Sequence, residues 1–181
     1  MRLLAGLALV VCAALAPAGG AGSASSSTHV RLARAEVVIY GYPYAARCPG
    51  AGIGDVVDRW GMYACNCTSY VTWALVANGQ RIDWFVPGAM NAWNWPNVAR
   101  RSGLAVDDRP SVGAIADWPR LARPYGHVAY VTAVRADHTI DVAEYNLPEF
   151  GSTQTFVFDT RTSVSAAGAV FIHVPRRVDR R

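Results

Sequence analysis

Three side chains with reactive chemistry stand apart in this sequence: Cys67 at the head of an apolar run, His127 directly after Gly126, and Glu144 two residues before Asn146. A cysteine attacks as thiolate, and it needs a base whose ring is held by a third group. Cys67 opens the run Cys67-Thr68-Ser69-Tyr70-Val71-Thr72-Trp73-Ala74-Leu75-Val76-Ala77, which Asn78-Gly79 closes with a helix stop signal. A thiol at a helix start meets unpaired N–H groups and the positive end of the dipole, and both favour the thiolate. The competing reading is a buried cysteine that only fills the core. What separates the two is whether the fold supplies a base.

Four histidines are available. His29 lies beside a Ser/Ala stretch, His138 falls in a hairpin turn, and His173 sits in a final strand amid apolar residues. His127 opens a strand, where a side chain can emerge at a sheet end. The run His127 to Arg135 is rich in β-prone residues, Ala136-Asp137-His138 reads as a turn, and Thr139 to Asn146 reads as the return strand. Antiparallel pairing brings the end of the second strand beside the start of the first. Glu144 and Asn146, two apart, share a face and can both accept from the His127 ring. Glu144 lies among Val142, Ala143 and Tyr145, and a buried carboxylate without a partner is costly.

The remaining elements follow from period and punctuation. Val30 to Ile39 is amphipathic and fits a short helix or a strand equally. Asp55 to Trp60 reads as a helical turn, and Pro87-Gly88 opens a second helical segment that ends at Arg100-Arg101-Ser102-Gly103, with Pro96 making its first half irregular. Trp93 and Trp95 in that segment, with Trp118 and Tyr145, are candidate substrate-contact aromatics, although tryptophans more often serve the core. Ala114 to Trp118, Phe156 to Phe158 and Ala169 to Val174 read as further strands. With no helix between the strands, the class is α+β, with N-terminal helices on an antiparallel sheet.

The N-terminus reads as a secretory leader over residues 1–24, with Arg2 ahead of the apolar run Leu3 to Leu15 and small residues after it. Such a run is short for a membrane anchor. Residues 25–41 read as an N-terminal extension, 42–175 as the catalytic domain and 176–181 as a basic tail. Secretion implies an oxidising compartment, which leaves Cys48, Cys65 and Cys67 as an odd set. Cys65–Cys67 would close a strained ring and Cys48–Cys67 would consume the helix-start thiol, so Cys48–Cys65 is the favoured pair. All 17 basic residues are arginine and the net charge is +4, without the dense basic stripe of a nucleic-acid binder.

Cys67-Thr68-Ser69-Tyr70-Val71, Gly126-His127-Val128-Ala129-Tyr130-Val131 and Glu144-Tyr145-Asn146, in that order, resemble the CHAP domain, the cysteine, histidine-dependent amidohydrolase/peptidase module. Asn91 to Gly103 is similar to that family's tryptophan-bearing helix, and Pro110 to Ile115 to its strand entry. The resemblance implies a papain-like fold with a curved sheet, Cys67 as nucleophile, His127 as general base and acid, Glu144 as orienter and Asn146 as a further polar partner. Asn66, where the family commonly has glutamine, and Thr68 become candidates beside the oxyanion. It also implies a secreted enzyme that cleaves amide bonds in peptidoglycan, either N-acetylmuramoyl-L-alanine bonds or bonds in the stem and bridge peptides. No cofactor or metal is expected, and the expected state is a monomer in the cell wall or medium. The alternatives are a wall-binding module without turnover and another papain-like peptidase or acyltransferase.

Overall fold

The structure, a computed structural model, describes residues 36–48, 56–85, 91–147 and 156–177. Contacts divide the chain into Met1–Arg34 and Ala35–Arg181, and all the described residues fall in the second unit. The leader, the Ser/Ala stretch, Pro49 to Gly54, Pro87 to Met90 and the last arginines lie outside the described residues.

Helix α1 spans Cys67–Ala77, and Thr68 through Leu75 are all buried. A helix covered on every side must be apolar all round, which explains why the run shows little polar face. Thr72 manages its buried hydroxyl locally, its Oγ1 donating to Thr68 O at 2.7 Å. The helix stops at Gly79, whose φ of +74° a side chain would resist, with Gln80 N–H donating to Leu75 O and Gly79 N–H to Val76 O. Helix α2 spans Trp95–Arg101 and is preceded by a 3-10 turn at Ala92–Asn94. Pro96 is in its first turn, where a missing N–H costs nothing, so the irregular first half expected from sequence is this 3-10 turn.

Six strands follow: β1 Ala105–Asp107, β2 Ile115–Trp118, β3 His127–Val134, β4 Ile140–Tyr145, β5 Phe158–Val164 and β6 Val170–His173. They form one antiparallel sheet in the order β1-β6-β2-β3-β4-β5. The α+β class, with helices ahead of the sheet, is as expected. α1 packs on β3 and β4, and α2 on β1 and β6. Ile115, Val128, Tyr130, Ala143 and Ile172 join α1 in one core, while Ala116, Ala129, Val131, Val142 and Phe171 form a second core on the opposite face. Fully burying a side chain such as Leu75 or Ile115 contributes about 1.5–3 kcal/mol.

Several local expectations are corrected. Val57 forms an isolated antiparallel bridge with Tyr63, so the described part of Asp55 to Trp60 is a turn and not a helix. Asp58 determines that turn, because its Oδ1 accepts the Trp60 and Met62 N–H groups at 2.8 and 2.9 Å. The strand expected over Phe156 to Phe158 starts only at Phe158 and continues to Val164. β1 went unseen because three residues with one half-buried side chain carry almost no periodic signal. Arg176 pairs with Gln80 in an isolated bridge, so the described start of the basic tail is tied to the end of α1 while its side chains remain exposed.

Candidate active site

Asn66 is extended (φ −95°, ψ 163°) and its carbonyl accepts the Tyr70 N–H, which places Cys67 in the first turn of α1. The segment leading in is fastened to the helix by a polar chain. Cys65 N–H donates to the Tyr42 hydroxyl at 3.0 Å, that hydroxyl lies 2.5 Å from Ser69 Oγ, and Ser69 Oγ donates to the buried Asp58 carboxylate. Cys48 and Cys65 form a disulfide with Cα atoms 6.0 Å apart, and Cys67 is a free, half-buried thiol. The pairing favoured from sequence is thus the one present.

Cys67 and His127 wall a cleft of about 360 Å³, with Asn66, Thr68, Tyr125 and Asn146 around them. His127 sits at the first position of β3 because Gly126 turns the chain sharply there, with φ +76°. A side chain at 126 would collide with the Trp93 backbone, whose Cα would be 2.9 Å from an added Cβ. The imidazole is 1% exposed, and its Nε2 lies 2.8 Å from Glu144 Oε2, which leaves Nδ1 for the thiol, to which the ring is also hydrogen-bonded. Trp118 stacks on the ring at 6.4 Å between centroids. Cys67, His127 and Glu144, named from three separate stretches of sequence, come together in one line.

The electrostatics fit a charged pair. Burial pushes the Cys67 thiol up. The His127 charge and hydrogen bond, with the backbone N–H groups of Val128 and Thr68, outweigh it and hold the thiol below its ordinary value. Burial works against the His127 imidazolium, yet the charge and hydrogen bond of Cys67, followed by those of Glu144, raise it to about 9. Glu144 is 1% exposed, and burial alone would raise it. Hydrogen bonds from His127 and Arg161, together with their charges, keep it below the usual carboxylate value.

Other expected residues go elsewhere. Asn146 does not bond the imidazole. Its φ of +56° bends the chain out of strand geometry, its Nδ2 donates to Asn66 Oδ1 at 2.7 Å, and its Oδ1 accepts the Phe156 N–H at 2.8 Å. Trp95 is 0% exposed against Trp84 and Phe85. Tyr145 is buried between Tyr42 and Tyr70, and Trp118 is buried behind His127. Of the four aromatic candidates only Trp93 is exposed, with its backbone N–H on Tyr125 O. His173, expected amid core residues, is part-exposed and bonds Asp107 through Nε2 and Ser111 through Nδ1. That alignment ties β1 and the turn before β2 to β6 in open solvent.

Two residues at the site were missed. Arg161 of β5 grips Glu144, and a longer strand after Phe158 would have placed it on the Glu144 face. Asp117 of β2 is 0% exposed, and among the described residues neither of its oxygens has a partner. Burial and the nearby Cys67 charge push its carboxyl well above the carboxylate range despite His127. An aspartate amid Ile115, Ala116 and Trp118 was the available signal.

A cysteine at a helix start, paired with a histidine and a carboxylate from an antiparallel hairpin, defines a papain-like thiol site. Residues 57–146 match the family model of the CHAP domain, and the chain carries a CHAP domain. It is similar to the probable autolysin LDP of Staphylococcus aureus, 36% identical over 122 residues, covering 66% of this chain and 39% of that protein. It is also similar to the staphylococcal secretory antigen ssaA2 of Staphylococcus aureus, 42% identical over 84 residues, covering 46% of this chain and 30% of the relative. Among solved structures it resembles an N-acetylmuramoyl-L-alanine amidase from Staphylococcus aureus, with a TM-score of 0.52 at 24% identity, covering 62% of this chain and 31% of that one. The chain therefore spans 30–39% of the length of these relatives. Among the described residues, no helix is long and apolar enough to cross a membrane.

Proposed function

We propose that this protein is a secreted peptidoglycan hydrolase that cleaves an amide bond through a Cys67 acyl-enzyme. The observation that carries the reading is the Cys67–His127–Glu144 line opening on a cleft. In this mechanism the Cys67 thiolate attacks the amide carbonyl, and negative charge moves onto the oxygen. Asn66 Nδ2 and the Cys67 backbone N–H receive that charge at the helix start. The tetrahedral adduct collapses, the C–N bond breaks, and the His127 imidazolium gives its proton to the departing amine. His127, now neutral, takes a proton from water as that water attacks the thioester, the C–S bond breaks, and the acid leaves with the Cys67 thiolate and the His127 imidazolium restored. Glu144 stays ionised and holds the ring.

The wall substrate is supported by the names of the autolysin and the amidase that the chain resembles. Location outside the cell is supported by the leader-like N-terminus and by the secretory antigen. Among the described residues, the cleft lining contains no Asp, Glu, Lys or Arg. That favours a scissile amide flanked by uncharged groups. The domain limits we assign are 42–175 for the catalytic unit, after a leader at 1–24 and an extension at 25–41.

The test compares wild type with Cys67→Ala on purified cell walls, with the released ends identified. Lactyl-bearing sugar ends with new L-alanine amines indicate an amidase, and peptide fragments with intact sugar–peptide junctions indicate an endopeptidase. Equal turnover by both proteins refutes the nucleophile. Wall binding by both without turnover by either refutes the hydrolase in favour of a binding module.

A further inference from the structure

Glu144 is bound from two sides. Its Oε2 accepts His127 Nε2 at 2.8 Å and Arg161 Nη2 at 3.0 Å, and its Oε1 accepts Arg161 Nε. The carboxylate is 1% exposed, whereas the Arg161 side chain is 30% exposed. Pairing His127 alone would leave one buried oxygen with nothing to accept, which costs as much as a lost charged hydrogen bond. The bidentate fork removes that cost and fixes the carboxylate plane, since two parallel N–H···O bonds allow one orientation. Strand register delivers the fork: Arg161 stands opposite Val142, and Asp159 stands opposite Glu144, so Arg161 rises on the Glu144 face.

We infer that Arg161 is a positioning residue of this site, holding Glu144 in place for His127 and sharing its negative charge. The inference rests on the Cys67–His127 pair being the reactive one. The charged groups then alternate in sign from Cys67 through His127 and Glu144 to Arg161. The other acids in reach do not break that order. Asp117 of β2 is pushed toward its neutral form, and Asp159 of β5 turns its Oδ1 to the Thr160 N–H. Arg161 therefore has two effects. It keeps the orienter aligned, and its positive charge stops Glu144 from binding the imidazolium so strongly that the proton cannot leave for the substrate.

Removing that charge has a defined sign. With less positive charge nearby, both the thiol and the imidazolium hold their protons to higher pH. A purely structural role would lower activity at every pH without moving either limb. The experiment measures the rate of Cys67 alkylation by iodoacetamide against pH, and wall turnover against pH, in wild type, Arg161→Met and Arg161→Lys. In Arg161→Met the acid limb of alkylation and the alkaline limb of turnover are expected to move upward together. Turnover at neutral pH is expected to fall by up to about 100-fold, the effect of a misplaced catalytic group. Arg161→Lys keeps the charge but not the fork, so its limbs should return toward wild type while part of the turnover loss remains. Unmoved limbs in folded Arg161→Met overturn the inference. Should that variant fail to fold, wild-type turnover in Arg161→Lys overturns it. Alkylation limbs that shift in an enzyme with no wall turnover would refute the hydrolase reading and leave Arg161 in its role.

Discussion

Asn146 Nδ2 donates to Asn66 Oδ1 at 2.7 Å across 80 residues of sequence. Because Asn146 Oδ1 is already occupied by the Phe156 N–H, only its amide nitrogen can face Asn66. The Asn66 amide is thereby turned so that its own Nδ2 is the donor end, which reaches Ala64 O at 3.4 Å, and Asn66 lines the cleft beside Cys67. Asn66→Ala should lower kcat on wall substrate by roughly 100-fold or more, as the loss of one oxyanion donor does. Asn146→Ala should act in the same direction with a smaller loss, since it removes only the holder. Neither should slow iodoacetamide alkylation of Cys67. A matching fall in alkylation would assign both asparagines to the thiolate and not to the oxyanion.

Turnover should follow a bell with pH. Its acid limb is the ionisation of Cys67, below the ordinary thiol value, and its alkaline limb is the deprotonation of His127 near 9. The same shift affects stability. Protonated His127 is favoured by the folded state, so its contribution is complete below the unfolded value of about 6.5. It is lost as pH rises through about 9. Chemical denaturation at stepped pH should show wild type losing stability only above the unfolded thiol value of about 8.5, because Cys67, held below that value, gains stability with pH while His127 loses it. In Cys67→Ala, which lacks the thiolate that does most to raise the histidine, the loss should begin and end at lower pH. Identical pH slopes in the two proteins would refute the pairing.

Asp117 makes the opposite kind of contribution from a salt-bridged carboxylate. Its folded value lies above its unfolded one, so the unfolded chain loses the proton first and stability falls as pH rises above about 4. The loss can reach about 1.4 kcal/mol per pH unit until the folded carboxyl itself ionises. Asp117→Asn keeps the shape of the neutral acid and removes the titration. Its stability advantage over wild type should be small at pH 4 and grow toward neutrality. A difference that stays constant over that range would mean that Asp117 is ionised in the fold.

Gly126→Ala tests how His127 is placed. The added carbon meets the Trp93 backbone, which cannot swing away as a side chain could, and the φ of +76° disfavours any side chain. The variant should lose more than about 3 kcal/mol of stability in chemical denaturation. Ala at Gly61, where nothing lies within 4 Å of the added carbon, is the control for backbone strain without collision. Equal losses in the two variants would show that the approach of Trp93 does not matter.

The Cys67–His127–Glu144 line was legible because each member carries its own local signal. Cys67 heads a helix-like run, His127 follows a glycine at a strand start, and Glu144 is a carboxylate in an apolar strand. Pairing across the Asp137-His138 turn then made two of them neighbours by arithmetic. Asn146 was expected on the imidazole because alternation assumes an unbroken strand, but its positive φ ends that strand one residue earlier and turns it to Asn66. Arg161 was missed because β5 alternates threonine, serine and charge, an edge pattern that resembles a loop when no partner strand is known. Trp95 and Trp118 could not be divided from Trp93 by sequence, since spacing on an irregular helix and at a strand end does not say which side faces the core.

The disulfide and the reactive thiol are separated by a single residue, which raises a question of redox order. A thiolate attacks a neighbouring disulfide through a mixed intermediate whenever it can approach along the sulfur–sulfur axis. Sequence proximity invites that exchange here, and it would move the bridge onto Cys67 and remove the free thiol from the cleft. The fold keeps the sulfurs in different surroundings. Cys65 is 0% exposed within the core, whereas Cys67 lies on the cleft wall, bonded to His127 and to two backbone N–H groups. Engagement of the thiolate by its neighbours thus also guards the bridge, so loosening of the helix start would cost the protein its correct oxidation pattern together with the thiol that the proposed activity needs.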